Sequence, residues 1–201
     1  MHDVTKTQRH HGNRHGRSEE ARQAVLEAAD DLLVERGFAG FTIEGVAARA
    51  GVAKQTIYRW WPSKVDILME ALVGDIRKHL AMADTGTLAT DLRQYAETLA
   101  VMLTRTDQGA VFRALAGQAQ HDPATAARFR AECVDPLRAR EKSLFERAAE
   151  RGEVAADLDV EIAADRLFGP LYYRVLVTGD DVSPEYVDAL VTDYLAHFHG
   201  E

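Results

Sequence analysis

The stretch from Thr42 to Lys64, TIEGVAARAGVAKQTIYRWWPSK, restricts the fold more than any other part of this chain. Val46, Ala47 and Ala50 put small apolar side chains on one face of a short helix, and Ala47 is small where two steeply crossed helices come closest. Gly51 stands where the chain must reverse, a position that favours positive φ and hence a residue without a Cβ. Val52 resumes the apolar pattern, and Ile57 with Trp61 continues it at i, i+4 on a second helix. Two short helices joined by a sharp turn make a helix-turn-helix layout.

The second helix leaves Lys54, Gln55, Thr56, Tyr58 and Arg59 on the face away from Ile57 and Trp61. Eight or nine helical residues are roughly 12–13 Å long, and such a helix suits the ~12 Å major groove of duplex DNA. Gln can pair with adenine, Arg or Lys with guanine, and Thr can touch a thymine methyl. An ordinary helical hairpin in an all-α protein would not need that polar outer face.

Residues Ser18 to Leu72 resemble the N-terminal domain of the TetR family of bacterial transcription regulators. The likeness is carried by Arg36-Gly37-Phe38 at the end of the leading helix, Phe41-Thr42-Ile43 opening the next, Gly51-Val52, Thr56-Ile57-Tyr58, and Trp61-Pro62-Ser63-Lys64 before a long apolar-striped helix. It covers about a quarter of the chain. The family usually has Phe where Trp61 stands and often His or another polar residue at Trp60, so a second indole is a departure. The resemblance implies an all-α protein with a three-helix DNA-binding head and a larger helical-bundle C-terminal domain. It implies DNA contacts from Thr42, Lys54, Gln55, Thr56, Tyr58, Arg59, Trp60 and Lys64. It further implies a homodimer on a near-palindromic operator, paired through the last two helices, and released by a small apolar or aromatic effector in the C-terminal body.

The net charge of −8 is unevenly divided. Residues 1–64 hold 10 Lys+Arg against 8 Asp+Glu, and residues 65–201 hold 14 against 24. A weakly basic head on an acidic body suits a protein whose head alone faces nucleic acid. Apolar residues at 46% and charged residues at 28% are ordinary for a soluble domain. No uncharged stretch reaches half of the ~18 apolar residues of a membrane helix, and no apolar signal core opens the chain, so a cytoplasmic protein is expected. Cys133 is the only cysteine, which excludes an intrachain disulfide and a Cys-based zinc site. It reads as a buried small hydrophobe. No cofactor or metal is expected, and the body shows no catalytic grouping of Ser/His/Asp or Cys/His, no phosphate loop and no metal-ligand spacing.

In order along the chain, residues 1–17 read as a disordered basic arm, in which Arg9, Arg14 and Arg17 could reach phosphates or a minor groove. The head spans 18–64 and the ligand-binding and dimerisation body 65–201. Helix 1 is expected to start at Ser18, bury Val25, Ala28, Ala29, Leu32 and Leu33, and end at Gly37. Thr42 is the expected N-cap of helix 2. Ser63 caps helix 4 with Asp66 completing a capping box, and Lys64 lies beside free N–H groups suited to a phosphate. Val65, Leu68, Met69, Leu72, Val73, Ile76 and Leu80 stripe a helix linking head to body.

In the body, Leu88 to Leu103 reads as a helix with Leu92, Tyr95, Ala96, Leu99, Met102 and Leu103 inward, and Val111, Phe112 and Leu115 mark the next, ending near Gly117. Asp122-Pro123, Asp135-Pro136 and Ser183-Pro184 each pair a cap with a first-turn proline. They divide the remainder into helices near 123–133, 136–151 and 184–199. Pro170 falls inside a helical pattern from Val160 to Val177, where a kink is expected. Effector-pocket candidates are Tyr95, Met102, Phe112, Phe129, Phe168 and Tyr172. Dimer-interface candidates are Leu167, Leu171 and Val175, with Val187, Leu190, Val191, Tyr194, Leu195 and Phe198 on the last helix. A helix-turn-helix protein without an effector, constitutive or controlled by a partner protein, is the other reading of the same residues.

Overall fold

The computed structural model describes residues 14–80, 82 and 84–198, excluding the side chains of residues 14–17, 79, 197 and 198. Residues 1–13 of the expected arm, with Arg9, lie outside the described residues. All described secondary structure is helical. The head comprises α1 (Arg14–Gly40), α2 (Ile43–Ala50) and α3 (Lys54–Trp60), and α4 (Lys64–His79) leads into the body. The body comprises α5 (Leu88–Arg105), α6 (Asp107–Ala119), α7 (Pro123–Phe129), α8 (Asp135–Glu150), α9 (Val160–Tyr173) and α10 (Pro184–Phe198).

α1 begins at Arg14, ahead of the expected Ser18, because Gly16 costs a helix only about 1 kcal/mol and does not stop it. Its regular part ends at Gly37, with φ 63° and ψ 175°. Thr42 then caps α2, its hydroxyl accepting the Gly45 N–H at 3.1 Å. Gly51 adopts the left-handed φ 66°, ψ 25° required for the reversal. Ser63 and Asp66 form the capping box of α4. On α4 the buried stripe includes Ile67, Leu68, Met69, Leu72, Ile76 and Leu80, whereas Val65 and Val73 are only half-buried. Ile67 was not part of the expected stripe.

Asp122-Pro123 and Ser183-Pro184 open α7 and α10 as expected, but two other prolines act differently. Asp135-Pro136 opens no separate helix: α7 runs into α8 through a π-helical turn, Arg130–Val134, whose backbone stays in the right-handed helical region at both ends. A π turn spaces its hydrogen bonds at i→i+5, which accommodates a residue that has no N–H to donate. Pro170 is similarly followed by a second π turn, Arg174–Thr178, so Tyr172 to Val177 is helical despite its strand-forming composition.

One apolar core runs from the head into the body, through α1 and α4 against α6. Cys133 is buried on α4's flank, its Sγ 3.5 Å from Met69 Sδ. Burial, assisted by Glu132, pushes its thiol pKa up to about 12, so it packs as an unreactive small side chain.

The dimer candidates need correction. Leu167, Leu171, Val175, Val187, Val191 and Tyr194 are all buried within the single chain, with Leu190 and Leu195 half-buried, and the Phe198 side chain lies outside the described residues. Tyr194 even closes a hydrogen bond from its hydroxyl to Ala163 O at 2.9 Å. The 3.6-residue stripes are real, but they are consumed by packing α9 and α10 onto α8 and α5. The surface left over is a different face of α9 and of the π turn that follows it: Ile162, Tyr173, Leu176 and Val177 are exposed, at up to 69% for Val177. Ile162, Arg166, Gly169, Tyr173 and Leu176 recur at three and four residues, the spacing of a helix–helix seam. Gly169 has open space in front of it.

Candidate nucleic-acid interface

The surface of α3 is set by what lies behind it. Ile57 is fully buried and Trp61, just past the helix end, nearly so. That anchoring turns Lys54, Gln55, Tyr58 and Arg59 outward, while Thr56 and Trp60 are half-buried at the margins. Tyr58 remains 48% exposed. α3 has seven residues, about 10 Å of helix, slightly shorter than expected but still within the width of the major groove.

A half-buried polar knot fixes the angle of this helix. The indole N–H of Trp61 donates to Glu70 Oε2 at 2.9 Å. Arg22 of α1 donates through Nε to Glu70 Oε1 at 2.7 Å and ion-pairs with the other carboxylate oxygen. The Arg22 guanidinium also lies 4.9 Å from the centre of the Trp61 ring. Indole, carboxylate and guanidinium thus tie the end of α3 to α1 and α4 together. Trp60 meets Trp61 edge-on at 5.5 Å, and Arg59 sits 5.8 Å from the Trp60 ring. The second indole therefore supports the end of α3.

The cations on this face are partly engaged. Lys54 Nζ contacts Glu44 Oε1 at 2.9 Å across exposed surface. That hydrogen bond holds the Glu44 carboxyl below its usual range and raises the Lys54 pKa. An exposed pair of this kind exchanges readily for a phosphate. Lys64 is placed differently from the expectation. Its ammonium donates to Phe38 O at 2.9 Å and Phe41 O at 3.2 Å and lies 3.9 Å from the Phe38 ring centre. It closes the corner between α1 and α2, where partial burial lowers its pKa. Thr42 is exposed, with its hydroxyl engaged as the α2 cap. Arg49 is held by Glu35 at 2.6 Å and Asp31 at 3.7 Å.

In the body the five aromatic pocket candidates make ring contacts in two groups, and Met102 is buried in the same core. Tyr95 meets Phe168 at 5.4 Å, and Phe112 meets Phe129 at 5.2 Å and Tyr172 at 6.0 Å. They form a closed core, with Tyr95, Met102, Phe112 and Phe168 all buried. Phe129 also lines a groove of about 610 Å³ between α7, α8 and α9, with Ala126, Val134, Arg138 and Lys142. Sequence reasoning missed Glu141 in this core: its carboxylate accepts the Tyr172 hydroxyl at 2.7 Å. It also missed Arg128, one residue before Phe129, which ion-pairs with Asp66 of the α4 capping box. Nothing in local periodicity marks a residue whose partner is 62 positions away.

No described helix is long and apolar enough to cross a membrane. Comparison with known proteins agrees with the geometry. Residues 25–71 match the family described as bacterial regulatory proteins, tetR family, and residues 82–194 match the tetracyclin repressor-like C-terminal domain. The chain is 38% identical to the uncharacterized HTH-type transcriptional regulator YdeS of Bacillus subtilis, over 87% of this chain and 88% of that one. It is 31% identical to the DNA-binding transcriptional repressor TetR of Mycobacteroides abscessus, over 89% of this chain and 94% of the relative. The crystal structure of the TetR family transcription regulator SCO0332 superposes with a TM-score of 0.73 at 35% identity, covering 88% of this chain and 97% of that one. An anchored, outward-facing α3, and relatives matched over nearly their whole length, make the chain a member of the TetR family of DNA-binding transcriptional regulators.

Proposed function

We propose that the protein is a dimeric repressor that binds a near-palindromic operator and leaves it when a small molecule enters the C-terminal body. The observation that carries this reading is the polar face of α3, held outward by the buried Ile57 and Trp61. Gln55 reads base edges, with Lys54, Thr56 and Arg59 beside it. Tyr58, Thr42 and Trp60 meet the backbone, and Lys64 keeps the corner beneath them rigid. One α3 spans too few base pairs for specificity, whereas a two-fold pair presents two of them about one DNA turn apart. The exposed α9 seam of Ile162, Tyr173, Leu176 and Val177 supplies the apolar surface for that pair.

Control by an effector has a physical route in the chain. Phe129 packs in the aromatic core, and its neighbour Arg128 grips Asp66 at the start of α4, directly after α3. A ligand that displaces Phe129 moves Arg128 and so biases the head, provided it prefers the non-binding arrangement. The repressor name of the Mycobacteroides abscessus relative supports the sign of regulation. A fold neighbour, FadR of Bacillus subtilis, was solved in complex with stearoyl-CoA. The closed packing around Tyr95 and Phe168 favours the second reading, a regulator without an effector.

Titration of the protein against its own upstream DNA tests the proposal. Tyr58→Ala should weaken binding to all sequences and reduce the salt slope by about one contact. Gln55→Ala should change which bases matter, by about 1–3 kcal/mol per lost base-edge contact. Equal affinity, slope and base preference in both variants would refute the α3 assignment.

A further inference from the structure

The aromatic core of the body contains a buried carboxyl. Glu141 on α8 is 2% exposed, and its one described hydrogen bond is the one it accepts from Tyr172. Tyr95 on α5 is 3% exposed, and its hydroxyl has no hydrogen-bond partner among the described residues. α5 packs on α8 and the rings of Tyr95 and Tyr172 belong to the same aromatic core, so all three polar groups share one interior region, and the Glu141 charge acts on both hydroxyls. Phe168 and Phe112 flank them. Of the cations that act on this pair, Arg140 bears on Tyr95, while Arg138, which bears on Glu141, is committed at the surface to Asp165 at 2.5 Å and to Glu161 at 3.6 Å.

Burying a carboxyl and an unpaired phenol in one core is costly, and apolar side chains of the same size would stabilise it. Such a pair inside an aromatic enclosure is the arrangement of a binding site waiting for a donor. An access route adjoins it. Phe129 lies between Phe112 and the open groove, and the π turn Arg130–Val134 begins at the next residue. π turns interrupt regular helical hydrogen bonding and recur at functional sites.

We propose that Glu141 and Tyr95 form the head-group subsite of the effector, and that the effector is a small aromatic amine. Its ammonium donates to Glu141 and to the Tyr95 oxygen, and its ring takes the place vacated when Phe129 swings into the groove. This inference rests on the reading of the body as an effector domain and adds the chemical class. Burial pushes the Glu141 pKa up to about 7, against the lowering effects of the Tyr172 hydrogen bond and Arg138, with Asp165 adding to the rise. The groups facing it are therefore Tyr95 from α5, Tyr172 and Asp165 from α9, and Arg138 on its own helix. An ammonium binds the ionised carboxylate, so amine affinity strengthens from pH 6 to pH 8 and binding releases a proton at the lower end.

The test is calorimetric titration of the full-length protein with 2-phenylethylamine, 2-phenylethanol and phenylacetate at pH 6 and 8. Wild type, Glu141→Gln and Tyr95→Phe are compared, with thermal melts to establish folding. The amine should bind about tenfold more tightly than either isostere, and Glu141→Gln should lose that preference while melting no lower than wild type. Tyr95→Phe should weaken the amine by a smaller factor. Equal binding of all three probes, preference for phenylacetate, an amine affinity untouched by Glu141→Gln, or no binding of any probe would overturn the inference. Operator release by phenylacetate in place of the amine overturns it and leaves effector control standing. A protein that binds no operator DNA sinks the regulator reading, while the amine titration still decides this one.

Discussion

Replacing Lys64 separates two roles that resemblance and geometry assign to it. As a corner clip, its ammonium donates to the carbonyls of Phe38 and Phe41 and rests on the Phe38 ring. Hydrogen bonds to a charged group contribute about 1.5–3 kcal/mol each when well formed, and an exposed cation–π contact about 0.5–1 kcal/mol. The half-buried setting screens these contacts, and holding a lysine in one conformation costs up to ~2 kcal/mol of rotamer entropy. The net loss on Lys64→Ala is then about 2 kcal/mol, roughly a 1 M fall in the urea midpoint at fixed protomer concentration. Lys64→Met keeps the apolar stem and should lose somewhat less. The same variants are then titrated with DNA over a range of salt. A clip leaves the slope of log K against log salt unchanged, whereas a lost phosphate contact flattens it by about one unit. Unchanged stability together with a flattened slope would refute the clip and return Lys64 to the phosphate role.

Gly51→Ala should cost about 1 kcal/mol, because φ 66° is unfavourable for a residue with a Cβ while nothing lies within 4 Å to clash with it. Gly51→Asn should cost less, and equal urea midpoints for all three proteins would contradict the left-handed turn. Val177→Asp, at a 69% exposed seam position, should shift sedimentation towards the monomer with helical circular dichroism intact. An unaltered dimer would remove α9 from the interface. Asp30 stands at the head–body junction with its carboxyl pKa raised to about 7 by burial, then by Asp75, Asp107, Asp31 and Glu27. A raised carboxyl favours the folded state when protonated, so stability should decline as pH rises from about 4 through 7. Asp30→Asn should flatten that decline in thermal melts, and an unchanged pH profile would exclude Asp30 as its source.

The head was legible in the sequence because its determinants are local. A cap at Thr42, a left-handed glycine at 51 and a capping box from Ser63 to Asp66 each act over a few residues, and each takes the geometry its residue type dictates. What escaped depends on partners far along the chain. The Arg22–Glu70–Trp61 knot and the Arg128–Asp66 pair join positions that no periodicity connects. The interface candidates show a different failure. A stripe at 3.6 residues says that one face is buried, but not by what, and Leu167 and Leu171 are covered by their own chain. The exposed seam carries Arg166 and Gly169 among its apolar residues, which dilutes its hydrophobic signal. The proline at 136 was read as a boundary because first-turn prolines usually are boundaries, whereas a wider helical turn absorbs it.

That wider turn amounts to a single surplus residue lodged in an otherwise continuous rod from 123 to 150. Each helical residue turns the axis by about 100°, so excising one amino acid between 130 and 134 would swing every later side chain by more than a quarter of a revolution. Glu141 and Leu144 would then move to the half-buried flank now held by Arg140 and Ser143, and Arg138, Lys142 and Glu146 would turn into the interior. Length, more than identity, is therefore what selection must guard in this segment. An insertion or deletion here should prove far more damaging than any single replacement at the same sites.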